Sequence, residues 1–218
     1  MREAYQSKLE ELADELADMC GVVGTAMRKA TQALLEANLA LAQEVISEAT
    51  RVDELRDRAE KDAFALLALQ APVATDLRVV VSSIHVTGDL KRMGDLALHV
   101  ARAARRRHPA SVLPEEVKPY FAEMGRVACA LAEKAAEVIR TRDVARAKEL
   151  DSDDDAMDDL HRHMFTMLMG PKWTHGVSAA VDATLLARFY ERYGDHAVAV
   201  ARRTIYVVTG HMPTPLEV

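Results

Sequence analysis

Two acidic residues on one predicted helix have the spacing of a cation-binding pair. The stretch RFYERYGDHAVAVARR (Arg188–Arg203) contains Glu191 and Asp195, which are four residues apart and share one helix face. Like charges at this spacing cost about 0.2–0.5 kcal/mol on an exposed helix. Gly194, in the same turn, costs about 1 kcal/mol relative to alanine. A glycine inside a helix predicts that another backbone or side chain approaches that turn closely.

A second acidic element lies in DSDDDAMDDLHRH (Asp151–His163), which has six aspartates within nine residues. Aspartate is a poor helix former, and such clusters repel unless cations or a helix N-terminus offset the charge. Asp154 and Asp158 again have i, i+4 spacing. If the two helices pack antiparallel, this pair faces the pair on the later helix, and four carboxylates form one pocket.

An all-carboxylate pocket suits a hard or borderline cation such as Mg²⁺, Mn²⁺, Ca²⁺, iron or Zn²⁺. The predicted metal ligands are Asp154, Asp158, Glu191 and Asp195, with Asp155, His161 and His196 as weaker candidates. Two metal-free interpretations compete with this one. The acidic pair on the later helix is balanced by Arg188 and Arg192 on a solvated face, or the aspartates form only a hydrophilic helix start.

Two known kinds of metal site do not match. In an EF-hand loop starting at Asp151, Ala156 would take the glycine position and Arg162 the closing glutamate position. A di-iron oxidase of the ferritin type needs two Glu-x-x-His motifs, and only Asp158-x-x-His161 has comparable spacing. Arrangements typical of Ser/His/Asp or Cys/His catalysis, or of a glycine-rich phosphate loop, are not evident. The sequence therefore favours a protein that is not an enzyme.

The composition is that of a globular protein with a substantial core. The chain has 218 residues, 50% of them hydrophobic, and a net charge of −6, which argues against general nucleic-acid binding. Apolar runs are interrupted by charges, and neither a membrane span nor a secretory signal is visible. We therefore expect a cytoplasmic protein. The widely separated Cys20 and Cys129 are typical of reduced core thiols.

Apolar residues recur at steps of three and four throughout the chain, which predicts an all-α fold. The predicted helices lie near 3–37, 39–69, 73–107, 114–141, 144–169 and 174–209. Asn38 and Asp143 are predicted N-caps, and Gly210 is a predicted helix end. Strand-like alternation is absent.

The chain is internally repeated. At an offset of 105 residues, Lys29 aligns with Lys134 and Asn38 with Asp143; at an offset of 100, the Arg-x-Gly-Asp element around Gly94 aligns with that around Gly194. Chance similarity among alanine-rich helices is the alternative, but the caps and this element align together. We therefore predict two tandem antiparallel three-helix bundles, 1–108 and 114–212, joined by the proline-flanked segment 108–114.

The repeated stretch, continued as RFYERYGDHAVAVARRTIYVVTG, resembles the signature of the PhoU family, whose members carry Glu-Arg-Ile-Gly-Asp-His-like elements once per half. LLALQAPVATDLR (Leu66–Arg78) is similar to the start of that family's third helix. DDAMDDLH (Asp154–His161) is similar to the acidic element of its fifth. The resemblance covers essentially the whole chain and is greatest to the actinobacterial branch, through DDAMDDLHRH and HGV.

This resemblance implies a cytoplasmic regulator of phosphate uptake that holds the phosphate-starvation response off when phosphate is plentiful. The implied partners are the ATPase subunit of the phosphate importer and a phosphate-sensing histidine kinase, with membrane association only through partners. Homodimers are common in the family. Some members bind metal, including multinuclear iron or zinc clusters, through E(D)xxxD motifs, which here are Glu191 to Asp195, faced by Asp154 and Asp158.

The first half departs from the family's metal motif. It has Lys91 where the second half has Glu191, and it retains Asp95 and Asp53 as weaker candidate ligands. A lysine ammonium would replace the cation by forming an internal salt bridge with Asp95. We therefore expect at most one divalent or iron-type metal ion, bound in the second half.

The leading hypothesis is a regulatory adaptor whose helical faces bind partner proteins. A metal-dependent oxidase or hydrolase on a helical bundle and a metal-free structural scaffold are the alternatives.

The arginines of ARAARRRH (Ala101–His108) are explained by the helix C-terminal dipole, or else by docking to an acidic partner or lipid headgroups.

Overall fold

The computed structural model describes residues 2–213, without the side chains of residues 2, 69 and 70. The regular secondary structure in this part of the chain is entirely helical, as predicted. The helices are α1 (Arg2–Glu36), α2 (Leu39–Gln70), α3 (Ala74–Arg107), α4 (Lys118–Thr141), α5 (Val144–Leu168) and α6 (Gly176–Thr209). None of these helices is long and apolar enough to cross a bilayer.

The predicted caps are confirmed. The side chain of Asn38 accepts a hydrogen bond from the Leu41 amide at the start of α2. The side chain of Asp143 accepts two, from the amides of Ala145 and Arg146, at the start of α5. Gly210 ends α6 with a left-handed φ of 77°, which a side chain would oppose.

Helix α4 begins at Lys118, four residues later than its predicted start at 114. Pro119 occupies the first turn of the helix, where its missing amide hydrogen costs nothing. The preceding segment is not a solvated linker, because Val112 and Leu113 are buried in the core. The connection between the two repeats is therefore part of the packed structure.

Four helices form the centre of the molecule. Helix α1 packs on α3 and α4, and α6 packs on α3 and α4, while α2 lies against α1 and α3 and α5 lies against α4 and α6. One hydrophobic core runs through all six helices. The domain boundaries 1–108 and 114–212 stay a prediction, because the buried surface does not separate into two cores.

Small residues bring α1 and α4 close together. A Cβ at Gly125 would lie 2.5 Å from Thr31 Cγ2, and one at Gly24 would lie 3.3 Å from the side chain of Ala132. The Thr31 hydroxyl forms a 2.8 Å hydrogen bond with the buried Tyr190 hydroxyl of α6. The two halves of the chain are thus joined by the close packing of α1 on α4 and by a buried hydrogen bond between α1 and α6.

Helices α3 and α6 also run antiparallel. At one end Arg78 donates to the Val207 carbonyl at 3.4 Å. At the other end Arg107 binds Asp182 at 2.6 Å. The two central contacts, α1 with α4 and α3 with α6, therefore each pair a helix antiparallel with its counterpart in the other repeat. This is the arrangement that an approximate two-fold axis produces.

The repeat also explains two aligned lysines. Lys29 of α1 binds Glu44 and Glu48 of α2, at 2.7 and 3.2 Å. Its counterpart Lys134 of α4 binds Glu149, at 3.1 Å, and Asp153 of α5. Each lysine therefore joins the first helix of its repeat to the second at the same place.

Candidate metal centre in the second repeat

The centre of the acidic region is the contact between Asp154 of α5 and the turn of α6 that contains Gly194. Asp154 is only 9% exposed. A Cβ at position 194 would lie 2.1 Å from Asp154 Oδ1, so the carboxylate occupies the space that an alanine side chain would need. The predicted close approach to Gly194 is thereby confirmed, and the approaching group is a carboxylate.

Two buried carboxylate oxygens in this region have no hydrogen-bond partner. They are Asp154 Oδ1 and Glu191 Oε2. The other oxygen of Glu191 accepts from Arg188, one turn earlier on α6, and the Glu191 side chain is 12% exposed. Buried polar atoms are nearly always paired, so these two indicate a missing proton or cation.

Electrostatic coupling shows that the predicted carboxylates share one region. Burial raises the pKa of Asp154 to about 7, and Asp158, Asp195 and Glu191 add to the shift in that order. Burial, followed by repulsion from Asp195, also raises the pKa of Asp158 and that of Glu191. Asp195 itself is exposed, at the outer edge of the group.

Half of the aspartate cluster on α5 has an ordinary structural role. Three of its aspartates form ion pairs: Asp151 with Arg202, Asp153 with Lys134, and Asp159 with Arg162. No described basic side chain lies within 4 Å of the other three, Asp154, Asp155 and Asp158. The solvated-helix interpretation therefore explains the three paired aspartates and the exposed Asp155, and it leaves Asp154 and Asp158 unexplained.

The two candidate histidines differ in position. His161 is half-buried beside the carboxylates, and burial, assisted by the charge of Arg188, lowers its pKa and favours the neutral, ligand-competent form. The suggestion that His196 is a ligand is not supported, because its Nδ1 lies 3.0 Å from Asp89 Oδ1 on α3. His196 lies on the face of α6 that is turned toward α3 of the other repeat.

The corresponding position in the first repeat is closed by an internal cation. Lys91 Nζ lies 2.5 Å from Asp95 Oδ1 and 3.1 Å from Asp53 Oδ1, which confirms the predicted salt bridge. Burial alone lowers the pKa of Lys91, but the hydrogen bonds to the two carboxylates outweigh it and the pKa is raised. Asp53 and Asp95 are thus occupied by an ammonium group.

The candidate side chains of the second repeat are of the type that binds a hard cation. They offer four carboxylates, two of which have a buried oxygen without a hydrogen-bond partner. Within residues 2–213, no three His, Cys, Asp or Glu side chains yet lie close enough together to coordinate one ion. Because Arg188 holds Glu191, metal binding would require that side chain to move, and metal binding stays a prediction.

Comparison with known proteins identifies the family of this duplicated helical chain. The family profile described as the PhoU domain matches residues 16–104 and residues 121–204. The chain belongs to the PhoU family. One PhoU match lies in each repeat, so the Lys91 salt bridge and the second-repeat carboxylates occupy corresponding places in two PhoU domains.

Named relatives align with this PhoU chain over its full length. It is 59% identical over 213 residues to the phosphate-specific transport system accessory protein PhoU homolog 2 of Mycobacterium tuberculosis, covering 98% of this chain and 100% of the relative. It is 50% identical to PhoU homolog 1 of the same species, covering 100% and 99%. The names of these relatives describe accessory proteins and no enzyme.

Solved PhoU structures have the same fold. The crystal structure of PhoU from Pseudomonas aeruginosa superposes with a TM-score of 0.85 at 25% identity, covering 95% of this chain and 100% of that one. The phosphate transport system regulatory protein PhoU from Streptococcus pneumoniae superposes with a TM-score of 0.87 at 22% identity, covering 96% and 99%. The six-helix arrangement therefore persists while the sequence changes.

Asp182 is a buried charged residue that was not predicted from the sequence. This carboxylate is 8% exposed and binds Arg106 at 2.8 Å and Arg107 at 2.6 Å, where the start of α6 meets the end of α3. The signal was present: Asp182 lies one turn before the apolar Leu186 on the buried face of α6. A carboxylate on a buried face requires a cation, and the arginine-rich end of α3 supplies two.

Gly194→Ala should destabilise the protein by about 1–3 kcal/mol, because the added methyl group overlaps Asp154. Gly88→Ala is the matched control, since nothing lies within 4 Å of its added Cβ, and it should stabilise α3 by about 1 kcal/mol. Denaturant unfolding measures both. Adding Asp154→Ala to Gly194→Ala should recover most of the loss; strictly additive destabilisation would contradict the contact.

Metal-free protein should become less stable as pH rises from 5 to 8. The folded-state pKa of Asp154 is raised from 3.8 to about 7, so its protonated form stabilises the fold at low pH and that contribution is lost as pH passes 7. Melting temperatures in the presence of chelator measure this. Asp154→Asn should remove most of the pH dependence; an equally steep profile in that variant would rule the assignment out.

Glu191→Ala combined with Asp195→Ala should abolish metal binding and leave helicity intact. Elemental analysis after incubation with divalent metal and desalting measures the bound ion, and circular dichroism measures helicity. In the wild type, a saturating metal should stabilise the fold by about 2.7 kcal/mol at a hundredfold excess over its Kd. Asp153→Asn with Asp159→Asn removes the same charge from ion-paired positions and should retain the metal. Equal metal content in both double variants would contradict the site.

Proposed function

We propose that this PhoU-family protein is a cytoplasmic regulator of phosphate uptake and of the phosphate-starvation response. It would act as an adaptor between the ATPase subunit of the phosphate importer and a phosphate-sensing histidine kinase. The observation that carries the proposal is the 59% identity with a phosphate-specific transport system accessory protein over 98% of the chain. At that identity and coverage, nearly the whole chain aligns with a protein named for phosphate-specific transport.

The architecture supports an adaptor. Six long helices, of 24 to 35 residues, present extended faces to solvent, and the α1–α4 and α3–α6 contacts hold these faces in fixed relation. Because these faces belong to different helices, two partners would be able to bind at the same time. We also propose that the protein forms a homodimer, as the family resemblance implies.

The carboxylate group gives the adaptor a site for regulation. Asp154, Asp158, Glu191 and Asp195 would hold a divalent or iron-type ion that neutralises the buried charge and stiffens the α5–α6 contact. The donor set is entirely oxygen unless His161 joins it, and it includes no general base paired with a nucleophile. We therefore favour a structural or signalling ion over the metal-dependent oxidase or hydrolase.

Loss of the protein should derepress the starvation response. In a strain lacking the gene, a phosphate-starvation reporter should be active in high phosphate, and the wild-type gene should restore repression. Affinity capture of the tagged protein should recover the histidine kinase or the importer ATPase from the same cells. A strain that carries the Asp153→Asn, Asp159→Asn variant should repress the reporter and recover the same partners as the wild type does. Failure to recover either partner in both high and low phosphate would contradict the adaptor role.

A further inference from the structure

Exposed apolar side chains and unpaired arginines lie together where the first half of α6 packs on the second half of α3. Val177, Val181 and Leu185 follow one another at intervals of four residues on α6 and are 80%, 50% and 50% exposed. Arg102 and Arg105 lie on the adjoining part of α3. These five residues define what we call the α3/α6 surface. Three aliphatic side chains in one exposed line favour a surface that a partner covers.

A cleft of about 430 Å³ lies beside this line, between α3 and α6. Its floor includes the buried Leu186 and the half-buried Phe189, and Phe189 stacks on His99 with ring centroids 5.2 Å apart. Its rim carries Arg102 and Arg105. The cleft therefore has an apolar floor and a basic rim.

The positive charge of the rim is not neutralised within the protein. The one carboxylate lining the cleft is Asp182, and its two oxygens are taken by Arg106 and Arg107. Within residues 2–213, no carboxylate lies within 4 Å of the Arg102 or Arg105 guanidinium, the distance at which Arg106 and Arg107 pair. The chain as a whole carries −6, so this local positive charge is opposite in sign to the rest of the molecule.

The corresponding surface at the start of α3 allows a position-by-position comparison. Leu77 and Val81 correspond to the first two residues of the stripe and are 40% and 38% exposed. The counterpart of Arg105 is the buried Ile205. The counterpart of Arg102 is Arg202, which binds Asp151 at 2.7 Å. The first two positions of the apolar line thus occur in both repeats, whereas the Arg102 and Arg105 positions are taken at the first-repeat surface by a paired arginine and a buried isoleucine.

We propose that the α3/α6 surface binds an acidic amphipathic helix of a partner protein. The apolar side of that helix would cover the aliphatic stripe, and its carboxylates would bind the two free arginines. The stripe spans eight residue steps, about 12 Å at 1.5 Å per residue, which matches two to three turns of a partner helix. Charge complementarity gives the acidic sign. Because the floor of the cleft is recessed, a projecting side chain reaches it and a flat headgroup layer does not.

This inference rests on the proposed adaptor function and names the chemistry of one partner. The probe is a fluorescently labelled helical peptide with leucines at i, i+4 and i+8 flanked by glutamates, titrated with the full chain and followed by anisotropy. Arg102→Glu with Arg105→Glu should weaken binding at least about tenfold and reduce its salt dependence. Val181→Ser with Leu185→Ser should weaken it by about as much. Thermal melts confirm that each variant folds.

Two control variants change the same chemistry elsewhere. Val81→Ser alters the corresponding position of the first repeat, and Arg51→Glu with Arg58→Glu makes the same change in net charge on α2. Both should bind the peptide as wild type does. Equal affinity for wild type and the Arg102/Arg105 variant, or equal weakening by the controls, overturns the proposal.

Further measurements separate the other occupants. The protein is also tested for binding to vesicles that contain anionic lipid. If that binding requires Arg102 and Arg105 and the peptide does not bind, the surface is a membrane-binding surface and the proposal is overturned. Sedimentation that shows the same variant converting a dimer to a monomer assigns it to a second copy and also overturns it. If the Arg102→Glu, Arg105→Glu variant no longer binds the peptide but still represses the starvation reporter, the surface is not the docking site that regulation uses. The docking proposal then fails and the adaptor function stands. A reporter unaffected by gene deletion removes the adaptor function instead.

Discussion

The carboxylate of Asp154 lies directly on the backbone of α6, and this contact exists only because residue 194 has no side chain. It sets the distance and register between α5 and α6, and so it fixes where Asp158, Glu191 and Asp195 lie relative to one another. Burying a carboxylate without a partner is unfavourable unless a proton or a cation compensates it. The packing of the second repeat is therefore coupled to whatever neutralises this one group.

The first repeat uses the same backbone arrangement for a different purpose. Gly94 occupies the place of Gly194, but Val52 approaches it, with a Cβ at 94 lying 3.0 Å from Val52 Cγ1. Ala49 stands where the second repeat has Asp154, and Lys91 supplies a covalently attached positive charge. At this place one repeat has an internal salt bridge, while the other has carboxylate oxygens without a hydrogen-bond partner. This difference in charge balance is what distinguishes two otherwise similar bundles.

Properties within a helix could be read from the sequence, and contacts between helices mostly could not. The capping residues Asn38 and Asp143 act within a few residues of themselves, so their type and position sufficed. His196 was misassigned because spacing gives its place on α6 but not the rotation of α6 against α3, which turns it toward Asp89. The pairing of Arg188 with Glu191, by contrast, lies within one turn of α6, and the sequence offered it as part of the metal-free alternative. The start of α4 was misplaced because Pro114 and Pro119 are both acceptable helix-start signals.

The antiparallel packing of α1 on α4 and of α3 on α6 has the geometry of a self-complementary interface between two identical half-length chains. In such an association every substitution is made twice, and a lysine that closes one acidic site closes both. Covalent linkage through the buried segment around Val112 and Leu113 removes that restriction. One half can then carry an internal salt bridge while the other keeps a buried carboxylate without a partner, within a single continuous interior.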